Sequence, residues 1–240
     1  MSWTDADPQL SPSLDGAEIA AAFARHGRVH IPGILTPESA ARTHRCLERE
    51  TDFSLLTMAG PGQALVWRVA TLGPQKQAEL ITGAYSRAGD QFQYLYDGHV
   101  LSRNGEAYSN PSHPLAAVTR FLNSEPFLEF GRQVTGNRAI AFADGQATRY
   151  RPGHFLNRHD DANEPGRVAA YVLNLTPHWR PDWGGALLFL DGPVHISGGY
   201  LPAFNALNIL AVPQDHMVGF VSPFAGAARY SITGWFRSRK

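Results

Sequence analysis

Apolar positions recur with two different periods along this chain, and the change falls near residue 138. Before it the period is mostly helical. Ile19, Ala22 and Phe23 follow Asp15 at i, i+3, i+4 spacing and precede Gly27, which predicts a helix capped by Asp15 and ended by Gly27. Residues 29–35 read as a short strand. Thr36-Pro37 then opens a second helix, with Thr as N-cap and Pro in the first turn. Residues 75–88, 114–122 and 125–135 predict three more. The last places Phe127, Phe130 and Val134 on one face and stops at Gly136. Among these helices, residues 92–101 alternate Phe92, Tyr94 and Tyr96 as a strand does. Residues 97–113, marked by Gly105 and Asn110-Pro111, read as a long polar connection, either a lid or recognition loop or a plain solvated one.

Beyond residue 138 short strands follow turn signals: 139–142, 146–151, 168–175, 186–190, 207–212, 217–221 and 230–237. Asp144-Gly145, Gly184-Gly185, Asp191-Gly192-Pro193, Gly198-Gly199 and Pro213 punctuate them. Many short strands at this spacing predict a β-sandwich or barrel, with the earlier helices covering one sheet. No linker, repeat or low-complexity tract interrupts the chain. The expected organisation is one domain over 1–240, with a helical cover at 1–137 and a β core at 138–240.

Composition narrows the class. The chain is 43 % apolar, enough for one sizeable core in 240 residues. Lys+Arg and Asp+Glu are 21 each, so charge gives no case for nucleic acid or an anionic membrane as partner. Cys46 is the one cysteine, so it can make no internal disulfide, and it reads as buried filler rather than a reactive thiol. Residues 1–15 hold no apolar targeting run, and no stretch approaches a membrane span. The expectation is a soluble cytoplasmic protein of open oligomeric state.

Three segments of the β half hold the candidate chemistry. In Arg158-His159-Asp160-Asp161, residues i and i+2 of an extended segment share a side, so His159 and Asp161 can converge while Asp160 points away. His216 stands 55 residues after Asp161, at the head of a strand. Two histidines and a carboxylate are the facial set that holds Fe(II) with open positions for substrate and O₂. His-x-Asp alone is weak, and a surface histidine beside an acidic pair is the commoner reading of it. The third segment starts at Arg229, 13 residues further on. One face of it holds Arg229, Ser231, Thr233 and Trp235, which is either a solvated face or a polar pocket. A guanidinium with hydroxyl neighbours is what a buried carboxylate requires.

With these segments in this order the chain resembles the Fe(II)/2-oxoglutarate oxygenase superfamily, and within it the prolyl hydroxylases, above all those acting on ribosomal proteins and their bacterial relatives. The resemblance rests on Tyr150 through His159-Asp160-Asp161, Gly166-Arg167, Leu175 to Trp179, Gly184-Gly185-Ala186-Leu187, His216-Met217-Val218 and Arg229 to Phe236. The strand at 31–35 and its following helix are similar to the family's N-terminal cover; residues 51–135 match loosely. The resemblance implies a double-stranded β-helix (jelly roll, cupin-like) using Fe(II), 2-oxoglutarate and O₂. It implies His159, Asp161 and His216 as metal ligands. Arg229, Tyr150, Thr233, Ser231, Leu187 and Tyr171 are implied as cosubstrate-binding residues, Tyr171 in an ambiguous register. Trp235, Asp160 and Arg158 are expected near the substrate. An Arg at 229 separates the chain from the collagen-type branch, and the spacing from His216 implies a larger loop at 223–228. The remaining histidines, His154 among them, read as surface or capping residues.

The expected activity is hydroxylation of a C–H bond, a prolyl residue of a protein by resemblance, with a translation component among the substrates. Two other readings stand beside it: a hydroxylase of a free amino acid or metabolite, and a non-catalytic metal-binding jelly roll. A peptide requires a groove and a metabolite a closed pocket.

Overall fold

A computed structural model describes residues 7–239; the first six residues of the expected cover lie outside them. Five helices form where the periodicity places them. α1 (Gly16–His26) is capped by Asp15, whose carboxylate accepts from the amides of Ala17 and Glu18 at 3.0 Å each, and Gly27 ends it at φ 64°. α2 (Pro37–Arg49) starts on the Thr36 hydroxyl. α3 spans Pro74–Ala88. α4 (Pro114–Leu122) is capped by the His113 ring, which accepts from the amide of Leu115. α5 spans Glu125–Thr135.

The thirteen strands are β1 (Arg28–Pro32), β2 (Ser54–Gly60), β3 (Gln63–Arg68), β4 (Tyr94–Ser102), β5 (Ile140–Ala143), β6 (Gly145–Tyr150), β7 (Phe155–His159), β8 (Arg167–Asn174), β9 (Leu187–Asp191), β10 (His195–Tyr200), β11 (Ala206–Ala211), β12 (His216–Val218) and β13 (Arg229–Ser238). All pair antiparallel, in the order β1-β11-β8-β13-β6-β4-β7-β12-β9-β10, with β2–β3 added at β4 and β5 at β13. The path folds back on itself as a nearly closed double-stranded β-helix. Its ends meet where Arg28 of β1 donates to the Ser197 carbonyl of β10 and lies over the Phe189 ring. A closed sheet presents few open edges.

The major sheet buries its outer face under α1, α2, α4 and α5. Phe127 of α5 packs on Tyr171 and Phe236 at ring separations of 5.6 and 5.2 Å, with Ile232, Leu173 and Ile209 beside them. α3 covers a second, smaller cluster of Leu55, Leu80, Ala84, Leu95 and Phe155. Between the sheets lie Ala170, Val172, Leu187, Phe189 and Leu210. Cys46 is fully buried, and that burial pushes its thiol up to about 12, in keeping with a filler role. Among the described residues no helix is long and apolar enough to cross a membrane.

The structure corrects the sequence reading in three places. The β2–β3 hairpin arises where no element was expected. Its apolar residues Leu55, Leu56 and Met58 do not alternate, and β3 is largely exposed. The connection expected over 97–113 begins only at 103, because residues 97–102 continue β4. Asp97 looks like a loop residue but is fully buried, its carboxylate held by Arg149 at 2.8 Å and by Arg151 at 2.8 and 3.0 Å. β7 and β10 are also additional, being too polar or glycine-rich to show a period of two.

Candidate metal centre and cosubstrate pocket

His159 ends β7 and His216 begins β12, and the two strands pair with these residues opposite each other. The third group arrives by a turn. Asp161 lies beyond the strand with φ 63°, a left-handed conformation uncommon for a residue with a side chain. The simple alternation expected for His-x-Asp is therefore not what brings the carboxylate round; the backbone turn does. One ligand atom from each of the three groups lies within 4.8 Å of the other two. The Nε2 atoms of His159 and His216 stand 3.7 and 3.6 Å from the Asp161 carboxylate oxygens.

The tautomers follow from the hydrogen bonds. His159 Nδ1 lies 2.9 Å from the Asn157 carbonyl, and His216 Nδ1 lies 2.7 Å from that of Gln214. A carbonyl only accepts, so each Nδ1 carries the proton and each Nε2 presents a lone pair. Burial, followed by the neighbouring His159, lowers His216 to about 4, which keeps it neutral as a ligand must be. Arg167 holds Asp161 in place: it donates to the Asp161 carbonyl at 3.1 Å and approaches its carboxylate at 3.5 Å. Its guanidinium lies 3.7 Å from the Trp235 ring centre, and burial lowers its pKa.

The triad lies in a cavity of about 480 Å³ between the two sheets. At its inner end Arg229 is only 1 % exposed. Its guanidinium lies 5.2 Å from the Tyr150 ring and donates once, to Asn174 at 3.4 Å, while Nε and Nη1 have no partner. A buried cation left so open is costly unless an anion completes it. Burial accordingly lowers the Arg229 pKa. A carboxylate from the cavity side satisfies those donors, so the residues fit 2-oxoglutarate: an anchor for its distal carboxylate at Arg229 and a His₂Asp set for iron.

The cavity gathers most of the expected residues. Tyr150, Thr233, Leu187 and Trp235 line it with Arg229 and the triad. β13 is not a solvated edge, as it pairs with both β8 and β6. Gly234 is required there, because a Cβ would stand 1.9 Å from the Asp144 carbonyl oxygen. Four expectations are corrected. Ser231 is fully buried but does not line the cavity; its hydroxyl bonds Thr148 at 2.8 Å. Tyr171 reaches the lining, yet its hydroxyl donates to the Asp144 carbonyl at 2.7 Å and is spent on the fold. Arg158 pairs with Asp215, and Asp160 accepts from the amide of Ala162 in the turn. Both are exposed and neither lines the cavity: the strand period turns Arg158 outward, and Asp160 belongs to the turn beyond β7. Among the bystander histidines, His154 is buried rather than on the surface, and burial lowers it to about 4.

Sequence reasoning missed the cavity roles of Phe92, Tyr94, Tyr96, Gln146 and Arg167. The alternation of Phe92, Tyr94 and Tyr96 was visible, but nothing local tied that strand to the triad.

Comparison with known proteins follows this geometry. Residues 145–237, which hold every ligand and Arg229, match the family model of the 2OG-Fe(II) oxygenase superfamily. A prolyl 3-hydroxylase of Mus musculus, OGFOD1, is 28 % identical over 152 residues, covering 60 % of this chain. The match spans only 28 % of that relative's length. A Pseudomonas putida prolyl-4-hydroxylase shares the fold at TM-score 0.62 and 17 % identity, with 94 % of this chain and all of that one covered. A prolyl hydroxylase of Trichoplax adhaerens, solved with a hypoxia inducible factor peptide, shares it at TM-score 0.60 and 16 % identity, over 93 % and 89 % of the chains. The span that holds the triad and Arg229 is thus similar to the 2OG-Fe(II) oxygenases, and its His-Asp-His group fits an iron site. The matched mouse relative is a prolyl 3-hydroxylase, and the Pseudomonas and Trichoplax prolyl hydroxylases share the fold of this chain.

Proposed function

We propose that this protein hydroxylates a prolyl residue within a polypeptide, with translation components among its substrates. The observation behind this reading is the lining of the cavity. Among the described residues its lining holds no carboxylate apart from Asp161, while Phe92, Tyr94, Tyr96 and Trp235 make it aromatic. A free amino acid would bring an ammonium group with nothing to pair it. A ring inside a peptide brings no charge and packs on aromatic faces. The mouth is open at exposed Phe92 and Asn163, as a chain passing across it requires. Beside the mouth, Arg167 Nε and Trp235 Nε1 are donors without partners. The relative in mouse and the peptide complex of the Trichoplax neighbour agree with such a substrate.

The residues divide the work. His159, His216 and Asp161 would hold the metal, and Arg229 with Thr233 and Tyr150 would hold the cosubstrate's distal end. The bound metal and 2-oxoglutarate supply the oxidising chemistry, in which decarboxylation to succinate accompanies transfer of an oxygen atom from O₂ to a C–H bond. Leu187, Val218 and Leu156 line the same cavity with apolar surface and limit water around the reacting carbon. Among the described residues no side chain in the cavity beyond the triad is placed as a general base, and this chemistry requires none.

The test has two arms. Anaerobic Fe(II) and 2-oxoglutarate should give a visible charge-transfer band that Arg229→Ala abolishes. With air, prolyl peptides from ribosomal proteins should gain one oxygen atom on proline, matched by succinate release. A band without peptide hydroxylation, but with turnover of free proline or another metabolite, would leave the cosubstrate chemistry standing and overturn the polypeptide substrate. Iron binding without a band would favour the binding module.

A further inference from the structure

One wall of the cavity comes from a strand far from the metal motif in sequence. Tyr94 and Tyr96 of β4, with Phe92 just before it, face the cavity at alternate positions, as strand geometry dictates. Phe92 is 44 % exposed at the mouth and packs 5.7 Å from the His159 ring. Neighbouring rings are then 6.0, 5.5 and 5.2 Å apart through Tyr94 and Tyr96 to Tyr150, with Tyr96 and Tyr150 stacked 18° from parallel. Tyr150 in turn supports Arg229. The wall thus runs from the mouth, past the triad, to the anion anchor.

The phenol of Tyr96 is unlike that of Tyr171. Tyr171 gives its proton to a backbone carbonyl. Tyr96 accepts a hydrogen bond from Gln146 Nε2 at 3.3 Å, and its own proton has no acceptor among the described residues. Accepting one hydrogen bond polarises the O–H and strengthens it as a donor. Burial pushes its pKa up to about 12, so the proton stays in place at working pH. The ring order from His159 through Phe92, Tyr94 and Tyr96 to Tyr150 puts Tyr96 one ring nearer the metal end than Tyr150.

We infer that Tyr96 is a cosubstrate-binding residue: its phenol donates to the metal-proximal carboxylate of 2-oxoglutarate, with Gln146 as the positioning residue behind it. The inference rests on the 2-oxoglutarate reading and is independent of the polypeptide substrate. An acid chelating the triad and reaching Arg229 must pass this wall. Its carboxylate is the strongest acceptor the cavity receives, and a hydrogen bond to a charged acceptor is among the stronger ones.

The experiment is calorimetric binding to the Mn(II)-loaded full chain, which avoids turnover. Two probes are used: 2-oxoglutarate, which engages both ends, and oxalate, which engages only the metal end. Tyr96→Phe is expected to weaken both, by about 10- to 100-fold for loss of one charge-assisted hydrogen bond, while Mn(II) affinity stays unchanged. Arg229→Met is expected to weaken 2-oxoglutarate and spare oxalate. A folded Tyr96→Phe variant, with the parent thermal midpoint, that binds oxalate within about twofold of the parent overturns the inference and leaves Tyr96 as apolar wall. If Tyr96→Phe does not fold, Gln146→Leu reads the same bond from behind: a several-fold loss of oxalate affinity supports the inference, and unchanged affinity overturns it. A parent that binds neither probe overturns the cosubstrate reading itself, an outcome visible before any variant is made.

Discussion

Single residues show where this molecule holds groups that binding, rather than folding, justifies. Arg229 is the clearest: a fully buried guanidinium with two nitrogens unpartnered. Arg229→Met keeps the volume and removes the orphaned charge. The metal-free variant should therefore be as stable as the parent or more so, by about 1–3 kcal/mol, while its 2-oxoglutarate affinity collapses. Urea unfolding paired with calorimetry checks both, and a variant markedly less stable than the parent would contradict the account. His154 makes a pH argument. Its ring is 1 % exposed, with Nδ1 unpartnered, and burial lowers it from 6.5 to about 4. The folded pKa lies below the unfolded one, so between those values the unfolded chain binds more protons. Stability is therefore present above 6.5 and lost as pH falls toward 4. Metal-free His216 adds to the same loss. His154→Gln should flatten the decline in unfolding free energy between about pH 7 and pH 5; an unchanged slope would mean that folded His154 takes up its proton as readily as the unfolded chain does.

Elements explain which parts of the sequence were readable. α4, α5 and the strands of the β half stood out because each buries one face and shows its period. The triad and Arg229 stood out because four chemically unusual residues occur in one order, within the 93-residue span that matches the family. β4 was legible as a strand but not as a wall of the site, although it joins the two sheets, pairing with β6 at one end and β7 at the other. Its inward aromatics read as ordinary strand residues, and its Asp97 read as loop. Long-range pairing makes both functional, and a local pattern holds no record of a partner 50 residues away. Asp97 fixes Arg149 and Arg151, which flank Tyr150 on the strand that carries it. Asp97→Ala leaves two part-buried guanidinium groups without their shared partner and should cost about 3 kcal/mol. It should also weaken 2-oxoglutarate binding through Tyr150. Denaturant unfolding together with a cosubstrate titration would expose the error if either quantity stayed at the parent value.

At the scale of the molecule, the helices and the chemistry occupy opposite sides of the same strands. β13 shows it best. Ile232 and Phe236 anchor the helical core, while Arg229, Thr233 and Trp235 line the cavity. A strand tied into the main core on one face holds its other face in register, which is how a fold of ordinary packing keeps a costly charge in place. The metal would act on the other sheet. Its ligands come from β7, from the turn at Asp161 and from β12, so a bound ion ties the end of β7 to the start of β12. A ligand that binds only the folded state stabilises it in proportion to the logarithm of its excess over Kd. Mn(II) at 100 times Kd should therefore add about 2.7 kcal/mol. Thermal unfolding with and without Mn(II) should show that rise, chelation by EDTA should reverse it, and His216→Ala should lack it. A midpoint that rises equally in His216→Ala would place the ion elsewhere and break the link drawn here between the paired strands and the metal.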